Sequence, residues 1–185
     1  MNDFLADLLD GHGVDTRRTV IKPLPQPLPK GFETAGMGRL VELGHPVNIG
    51  RIIEAYARGL GGLRHIMIAY PKPLGTKSAQ KLVPIRTVAI CAGSGHDVVK
   101  DADADMFVTG EMSHHAALRL TMLGKVVLTV FHSNSERTFL RKRLRSQLEN
   151  KLQPEFPTVE VLVSEEDEDP FEIWDVNNMP AFAYD

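Results

Sequence analysis

Two stretches of the chain place histidine and glutamate side chains directly after apolar runs. In "FHSNSER", His132 ends one such run and Glu136 follows four positions later. An imidazole and a carboxylate at this spacing are suitable ligands for a divalent ion such as Zn, Mn or Fe. The same stretch has a second interpretation, because Ser133 and Glu136 have the S-x-x-E spacing of a capping box at the start of a helix. Spacing alone favours the capping box.

The second stretch, "TGEMSHH", places Glu111 just before a predicted helix that carries His114 and His115. A carboxylate near a helix N-terminus is also favoured electrostatically, so a capping role for Glu111 and a surface role for the histidines remain open. Adjacent helical residues point about 100° apart, so at most one of the two histidines faces a given site. Of the two, we choose His115 as the candidate.

A third stretch, "CAGSGHD", has two glycines in a predicted strand-to-helix turn, where backbone N–H groups could approach an anion. Val98 stands where the dinucleotide-binding fingerprint requires a third glycine, and no Walker lysine follows. The pattern therefore favours a tight turn over a ligand-facing one. Nucleotide or phosphate binding at this turn is the weakest of the functions that the sequence suggests.

Composition excludes several classes of partner. The 185 residues carry a formal net charge of −3, which gives no general attraction to nucleic acid or to anionic membranes. Cys91 is the single cysteine, which excludes an internal disulfide and a cysteine-rich zinc site and suits a reducing compartment. No apolar run approaches the roughly 20 residues of a membrane span. We expect a cytoplasmic protein, with the nucleus and the mitochondrion as alternatives, and no membrane or direct nucleic-acid partner.

Alternating strand and helix patterns predict a layered α/β fold. We divide the chain into an N-terminal helix with a proline-rich connector (1–30), an α/β lobe (31–176) and a tail (177–185). The lobe opens with a predicted βαβ unit, "GRLVEL", "NIGRIIEAYARGLG" and "RHIMIAY". Three apolar strands follow, "RTVAIC", "DMFVTG" and "KVVLTVF", with a helix capped by Ser113, a long amphipathic helix from Asn134 and a closing strand, "TVEVLVS". If the strands are largely parallel, the loops that carry the three stretches converge at one sheet edge.

Four motifs, "GMGRL", "CAGSG", "TGEMSHH" and "HSNSER", occur in an order and at a spacing that resemble the C-terminal half of the NIF-3-like family, eukaryotic type. The family name stands for NGG-one-interacting factor three, and its members are also called type 2 GTP cyclohydrolase I. The resemblance runs from about residue 2 to about residue 175. It implies two related α/β lobes, a homo-oligomeric and often hexameric ring, and a pair of divalent metal ions in the cleft between the lobes.

By this resemblance, His132 and Glu136 match metal ligands, while Glu111 and His115 match polar residues of the cleft and become candidate catalytic residues. The resemblance thus raises metal binding above the capping box. The remaining family ligands belong to a first lobe that precedes the segment resembled by "MNDFLADLL". We therefore expect a mixed sheet flanked by helices, with the first lobe largely absent.

For function, we expect the C-terminal lobe of a metal-dependent, hydrolase-like protein. With part of the ligand set, its metal site would be weak or vacant and the lobe would be catalytically silent alone. The alternative is a non-catalytic interaction module that contacts other proteins, such as transcriptional coregulators.

Overall fold

The computed structural model describes residues 1–10, 16–71 and 83–175, which form a six-stranded mixed sheet flanked by helices. The strands are β1 (Thr16–Pro23), β2 (Gly36–Asn48), β3 (Met67–Ala69), β4 (Pro84–Cys91), β5 (Met106–Thr109) and β6 (Val126–Thr129). The helices are α1 (Asn2–Asp7), α2 (Ile49–Gly59), α3 (His96–Val99), α4 (His114–Met122), α5 (Asn134–Phe139) and α6 (Arg145–Leu152). A π-helical turn, Leu140–Leu144, joins α5 to α6. The predicted α/β class is confirmed.

The central strands of the sheet are parallel, in the order β1-β2-β4-β5-β6-β3. The β4–β5 and β5–β6 pairs are parallel, and the other three pairs are antiparallel. Their register aligns Cys91 with Thr109 and Thr109 with Thr129. The carboxyl ends of β4, β5 and β6 therefore lie side by side, and the loops that follow them start at one edge of the sheet.

Side chains alternate between two faces of the sheet, and each face carries its own apolar core. On one face, Ile90 and Val108 pack with residues of α1 and α2, including the fully buried Leu5 and Tyr56. On the other face, the core joins β4, β5 and β6 to α3 and α4, through Ala89, Phe107, Val127, Val99 and Leu120. Both faces of the central strands are covered, which explains their near-continuous apolar sequences.

The predicted βαβ unit is wrong in its pairing, although its strands and its helix exist. β3 does not lie beside β2 but at the opposite edge of the sheet, where Ile68 pairs antiparallel with Leu128. Three strands, β4, β5 and β6, lie between β2 and β3, and their sequences are apolar enough for burial on both faces. The short β3, with Met67 largely exposed, is suited to an edge.

The predicted closing strand "TVEVLVS" is also wrong, because residues 158–164 are described and contain no strand. Its alternating valines are half-buried while the residues between them are exposed, which produced the strand-like pattern. The edge beside β6 that this strand could have joined is occupied by β3. Period-two burial therefore occurs here without strand pairing.

The first residues belong to the same core as the sheet. Arg39 of β2 binds Asp3 of α1 through two contacts, at 2.5 and 2.7 Å, and Arg18 of β1 binds Asp7 at 2.6 Å.

The predicted boundary at residue 30 stays a prediction, and the predicted tail, 177–185, lies outside the described residues. Among the helices of the described ranges, none has the length and apolarity needed to cross a membrane.

Candidate functional site

The three loops after β4, β5 and β6 meet at close range, as the sequence predicted. Gly93 has φ +63°, and a Cβ atom there would lie 3.2 Å from Nε2 of His132 and 3.1 Å from Oε1 of Glu136. A Cβ atom on Gly110 would lie 2.9 Å from both the Gly93 carbonyl oxygen and the His132 Cα. Glycine at these two positions allows the loop backbones to pack directly against the turn that carries His132.

Two buried hydroxyl groups hold these loops together. Ser135 Oγ accepts a hydrogen bond from Gly93 N at 2.8 Å and donates one to the His132 carbonyl at 2.6 Å. Thr109 Oγ1 accepts from Gly95 N at 3.0 Å and donates to the Gly93 carbonyl at 2.9 Å. Because the amides of Gly93 and Gly95 are used inside the protein, the "CAGSG" stretch forms a tight turn, and these two amides do not face an anion.

The imidazole of His132 lies between two carboxylates. Its Nδ1 is 2.8 Å from Oε1 of Glu111, and its Nε2 is 3.7 Å from Oε1 of Glu136. Ser94 joins the group from the loop after β4, where its hydroxyl donates a hydrogen bond to the same Glu111 oxygen. The side chains of His132 and Glu111 are 48% and 50% exposed, so solvent reaches the cluster.

Hydrogen bonding shifts the pKa values of Glu111 and His132 in opposite directions. The hydrogen bond from Ser94, followed by that with His132, lowers the pKa of Glu111. The hydrogen bond with Glu111 raises the pKa of His132, and the charges of Glu136 and Asp169 add to this effect while burial opposes it. The site therefore combines an ionised Glu111 with an imidazole that retains its proton to higher pH. Because both groups are half-exposed, solvent screening limits the energy of this pair.

The capping box that the sequence favoured is not formed. Ser133 precedes α5 with φ −60° and ψ −36°, already helical values, and its side chain makes no capping hydrogen bond within the described chain. Glu136 is directed toward His132 instead. Phe131, the residue before His132, has φ +68°, a left-handed conformation that is uncommon for a bulky residue. This sharp bend brings the chain into the helix without the extended residue that a capping box requires.

The donor set fits two positions of a divalent-metal site. His132 Nε2 and Glu136 Oε1 lie 3.7 Å apart, and an imidazole and a carboxylate at this distance would be able to hold a divalent ion together. Glu111 on the other ring nitrogen matches the carboxylate that commonly orients a metal-binding histidine. Across residues 1–10, 16–71 and 83–175, no group of three or more His, Cys, Asp or Glu side chains is placed to hold an ion.

A cavity of about 830 Å³ opens beside His132. Its walls are mostly apolar, and Glu111, His132 and Asp169 are charged or titratable groups among its lining residues. The apolar walls come from β3, from the turn before α5 and from the segment after Asp169, through Met67, Phe131, Pro170, Phe171 and Ile173. His132 and Glu111 therefore face a space large enough for a small molecule or a protein segment.

The sequence is similar to one known protein family along most of its length. The sequence model described as Duf34/NIF3 (NGG1p interacting factor 3) matches residues 1–170. The chain belongs to the Duf34/NIF3 family. It is 37% identical over 172 residues to NIF3-like protein 1 of Homo sapiens, covering 91% of this chain and 41% of that protein. It is 36% identical over 140 residues to NGG1-interacting factor 3 of Saccharomyces cerevisiae, covering 75% of this chain and 45% of that protein. The chain thus spans less than half the length of these two relatives.

Solved structures agree with the Duf34/NIF3 fold. The crystal structure of Staphylococcus aureus hypothetical protein SA1388 has a TM-score of 0.66 and 18% identity, covering 94% of this chain and 63% of that chain. The Bacillus cereus protein related to NIF3 has a TM-score of 0.59 and 23% identity, covering 75% of this chain and 36% of that chain. At these identities the likeness concerns the fold alone, and it supports the mixed sheet flanked by helices.

Within this Duf34/NIF3 domain, the structure brings together three of the four predicted site residues, Glu111, His132 and Glu136. His115 is exposed on α4, and its described ring contact is with His114, at 5.6 Å between ring centroids. It lines neither of the described cavities that Glu111 lines. A role for His115 in a cleft stays a prediction.

The residues that support the cluster could not be identified from the sequence. Asn2 accepts a hydrogen bond from Ala92 N at 2.9 Å and so ties α1 to the glycine turn. Ser94 and Ser135 lie inside motifs that the sequence analysis had singled out, but their partners are 17 and 42 residues away. Spacing within one motif gives no indication of contacts between motifs.

Proposed function

We propose that this Duf34/NIF3 domain contributes His132 and Glu136 to the divalent-metal centre of a hydrolase-like protein. The observation that carries the proposal is the position of the His132 ring, with Nδ1 held by Glu111 at 2.8 Å and Nε2 directed at Glu136 at 3.7 Å. A helix cap would not need this arrangement. The observed arrangement leaves Nε2 of His132 and a carboxylate oxygen of Glu136 available to the same ion.

The roles of the residues follow from this geometry. His132 and Glu136 hold a Zn, Mn or Fe ion, and Glu111 fixes the imidazole. A bound ion of this class polarises a substrate oxygen or activates a water molecule. His115 and Glu111 are our candidates for polar groups that act on the substrate. We propose that the other metal ligands come from outside this chain, as the family resemblance implies, so that the domain alone binds metal weakly and is catalytically silent.

The same resemblance supports assembly into a homo-oligomeric ring, and the single, buried Cys91 suits a reducing compartment such as the cytoplasm. Light scattering on the purified chain tests the ring directly. A hexamer-sized particle would support it, and a monomer at all concentrations would contradict it for this domain.

Metal titration tests the central proposal. The purified chain, freed of metal and titrated with Zn²⁺ or Mn²⁺ by calorimetry, is compared with its His132→Ala and Glu136→Gln variants. Each substitution removes a direct ligand, so affinity should fall by at least about tenfold, the lower effect of losing even an outer partner. The control is His114→Ala, an exposed histidine outside the cluster, which should bind as the unmodified chain does. Equal affinity of His132→Ala and the unmodified chain would refute the assignment.

We propose a protein-interaction module as the second candidate function. It is supported by the name of the yeast relative, NGG1-interacting factor 3, and by the exposure of Phe171, Ile173 and Trp174. Phe171 is 82% exposed beside the cavity, as an anchor for a partner would be. Binding of purified NGG1p to the metal-free chain, weakened by Phe171→Ala and retained by Phe156→Ala, would favour this function. Absence of binding at micromolar concentrations would exclude it for this partner.

A further inference from the structure

Ser94 has a position that its motif does not explain. It is exposed in the turn between β4 and α3, and its hydroxyl donates a hydrogen bond to Oε1 of Glu111. That oxygen also lies 2.8 Å from Nδ1 of His132. Ser94, Glu111 and His132 therefore form a chain of hydrogen bonds that starts in one loop, passes through the second and ends in the third.

We propose that Ser94 is a positioning residue, which fixes Glu111 so that His132 is held in its Nδ1–H tautomer with the Nε2 lone pair directed toward Glu136. The role in metal binding rests on the function proposed above, but the tautomer does not. Ser94 thus acts on the site through Glu111, without contacting either proposed ligand atom.

The donor and acceptor roles follow from the charge of Glu111. An ionised carboxylate can only accept hydrogen bonds, so both Ser94 Oγ and His132 Nδ1 must donate to it. In a neutral imidazole, a proton on Nδ1 leaves Nε2 as the acceptor or metal ligand. The Glu111 side chain is half-exposed, so a single hydrogen bond would leave its carboxylate able to rotate. The Ser94 hydroxyl provides the second hydrogen bond, which fixes the carboxylate.

Backbone packing gives the imidazole one further restraint. The Cβ position of Gly93 lies 3.2 Å from Cε1 and Nε2 of His132, so the ring lies against the turn that carries Ser94. A flip of the ring about its last torsion would exchange Nδ1 for a carbon and lose the bond to Glu111. The carboxylate, and therefore Ser94, determines which of the two ring orientations is favoured.

The same geometry argues against Ser94 as a nucleophile. A serine nucleophile transfers its proton to an adjacent base, usually a histidine, which a third group orients. Here the carboxylate lies between the hydroxyl and the imidazole, and both of them bind its Oε1 atom. The order of groups is serine, glutamate, histidine, which suits orientation of the imidazole.

Nitrogen-15 NMR of the histidine side chains in the full 185-residue chain tests the proposal directly. Long-range proton–nitrogen correlations, recorded on metal-free protein above the His132 pKa, identify which ring nitrogen carries the proton. The unmodified chain should show mainly the Nδ1–H form. Ser94→Ala should convert His132 to a mixture of tautomers, and Ser94→Thr, which keeps a hydroxyl, should restore the Nδ1–H form. Zn²⁺ affinity should fall by about tenfold in Ser94→Ala, the smaller effect expected for an outer partner.

Ser113→Ala is the matched control. Ser113 lies two residues from Glu111, but its hydroxyl accepts a hydrogen bond from Ala116 N, at 3.3 Å, and caps α4. This variant should lose stability without changing the His132 tautomer. If Ser94→Ala has the tautomer of the unmodified chain, or if Ser113→Ala shifts it equally, the proposal is overturned. A tautomer shift in Ser94→Ala together with no Zn²⁺ binding by the unmodified chain would support the positioning role and count against metal binding by this chain alone.

Discussion

Replacing Ser135 with alanine should separate tertiary support of the site from local helix capping. Ser135 is 1% exposed, and its hydroxyl connects α5 to the glycine turn after β4 by accepting a hydrogen bond from Gly93 N. Ser133, two residues earlier, is the serine that a capping box would use, yet it makes no capping bond within the described chain. The pair Ser135→Ala and Ser133→Ala thus compares two serines of one motif.

The magnitude follows from the partners that are left behind. The His132 carbonyl loses the Ser135 hydroxyl but keeps a hydrogen bond from the Ser135 backbone N–H, at 3.1 Å. The Gly93 N–H is buried and loses its acceptor, and an unsatisfied buried donor costs about 1–3 kcal/mol. We therefore expect Ser135→Ala to lower the free energy of unfolding by about 2 kcal/mol. Ser133→Ala should change it by less than about 0.5 kcal/mol.

Urea denaturation followed by circular dichroism measures both variants, and thermal melting provides a second measurement. For a chain of this size, about 2 kcal/mol corresponds to a decrease in Tm of about 4–8 °C. Ser135→Ala should also weaken Zn²⁺ binding, because the turn under His132 loses its connection to α5. A Ser135→Ala variant as stable as the unmodified chain would contradict the role of this hydrogen bond, and so would a Ser133→Ala variant that costs as much as a lost helix cap, about 1 kcal/mol.

Four further predictions concern the same edge of the sheet. Thr109→Val should destabilise the fold by about 1–3 kcal/mol in urea denaturation, because two bonds to the glycine turn are lost. Thr129→Val should be neutral or stabilising, since this buried hydroxyl has no hydrogen-bond partner among the described residues; equal losses would contradict the bonding pattern. Gly93→Ala should cost about 1–2 kcal/mol from its positive φ, and should abolish Zn²⁺ binding in calorimetry; unchanged binding would show that the ring does not pack here. The pKa of His132 is raised above 6.5, so its protonation stabilises the fold below that pH, and this contribution is lost as pH rises through the folded-state pKa. The stability difference between the unmodified chain and His132→Gln should therefore shrink with rising pH while Zn²⁺ affinity increases, and a pH-independent difference would contradict the ion pair.

The lowered pKa of Glu111 sets the acid limit of the same pair. Because its folded-state pKa lies below the usual 4.5, the contribution of Glu111 is present above that value and is lost as pH falls through the folded-state pKa. The pair with His132 therefore contributes most between the two ordinary values, 4.5 and 6.5. A minimum of stability in this interval would contradict the cluster.

Much of the fold could be predicted because its strongest patterns are local. The central strands β4, β5 and β6 were recognisable as apolar runs, since strands buried on both faces need few polar residues. The cap of α4 was also predicted, and Ser113 makes it. The position of β3 was not, because three residues at an edge contain too little information to specify a partner that lies about 60 residues away, Ile68 with Leu128. The alternating valines of residues 158–164 resembled a strand, since half-burial produces the same period with or without pairing.

The candidate site, like the fold, could be predicted from the sequence only in part. The sequence by itself determined the family, the strands that end at the site and three of its side chains. Residue type and apolar periodicity are local properties, which can be recognised from neighbouring positions in the sequence. The tertiary structure decided what Glu136 does and which residue holds His132. The first depends on the bend at Phe131, which removes the extended residue that a cap would need. The second depends on the parallel register that brings Ser94 and Glu111 together across 17 residues of sequence. Contacts of this kind arise from the packing of strands, and spacing within one motif does not encode them.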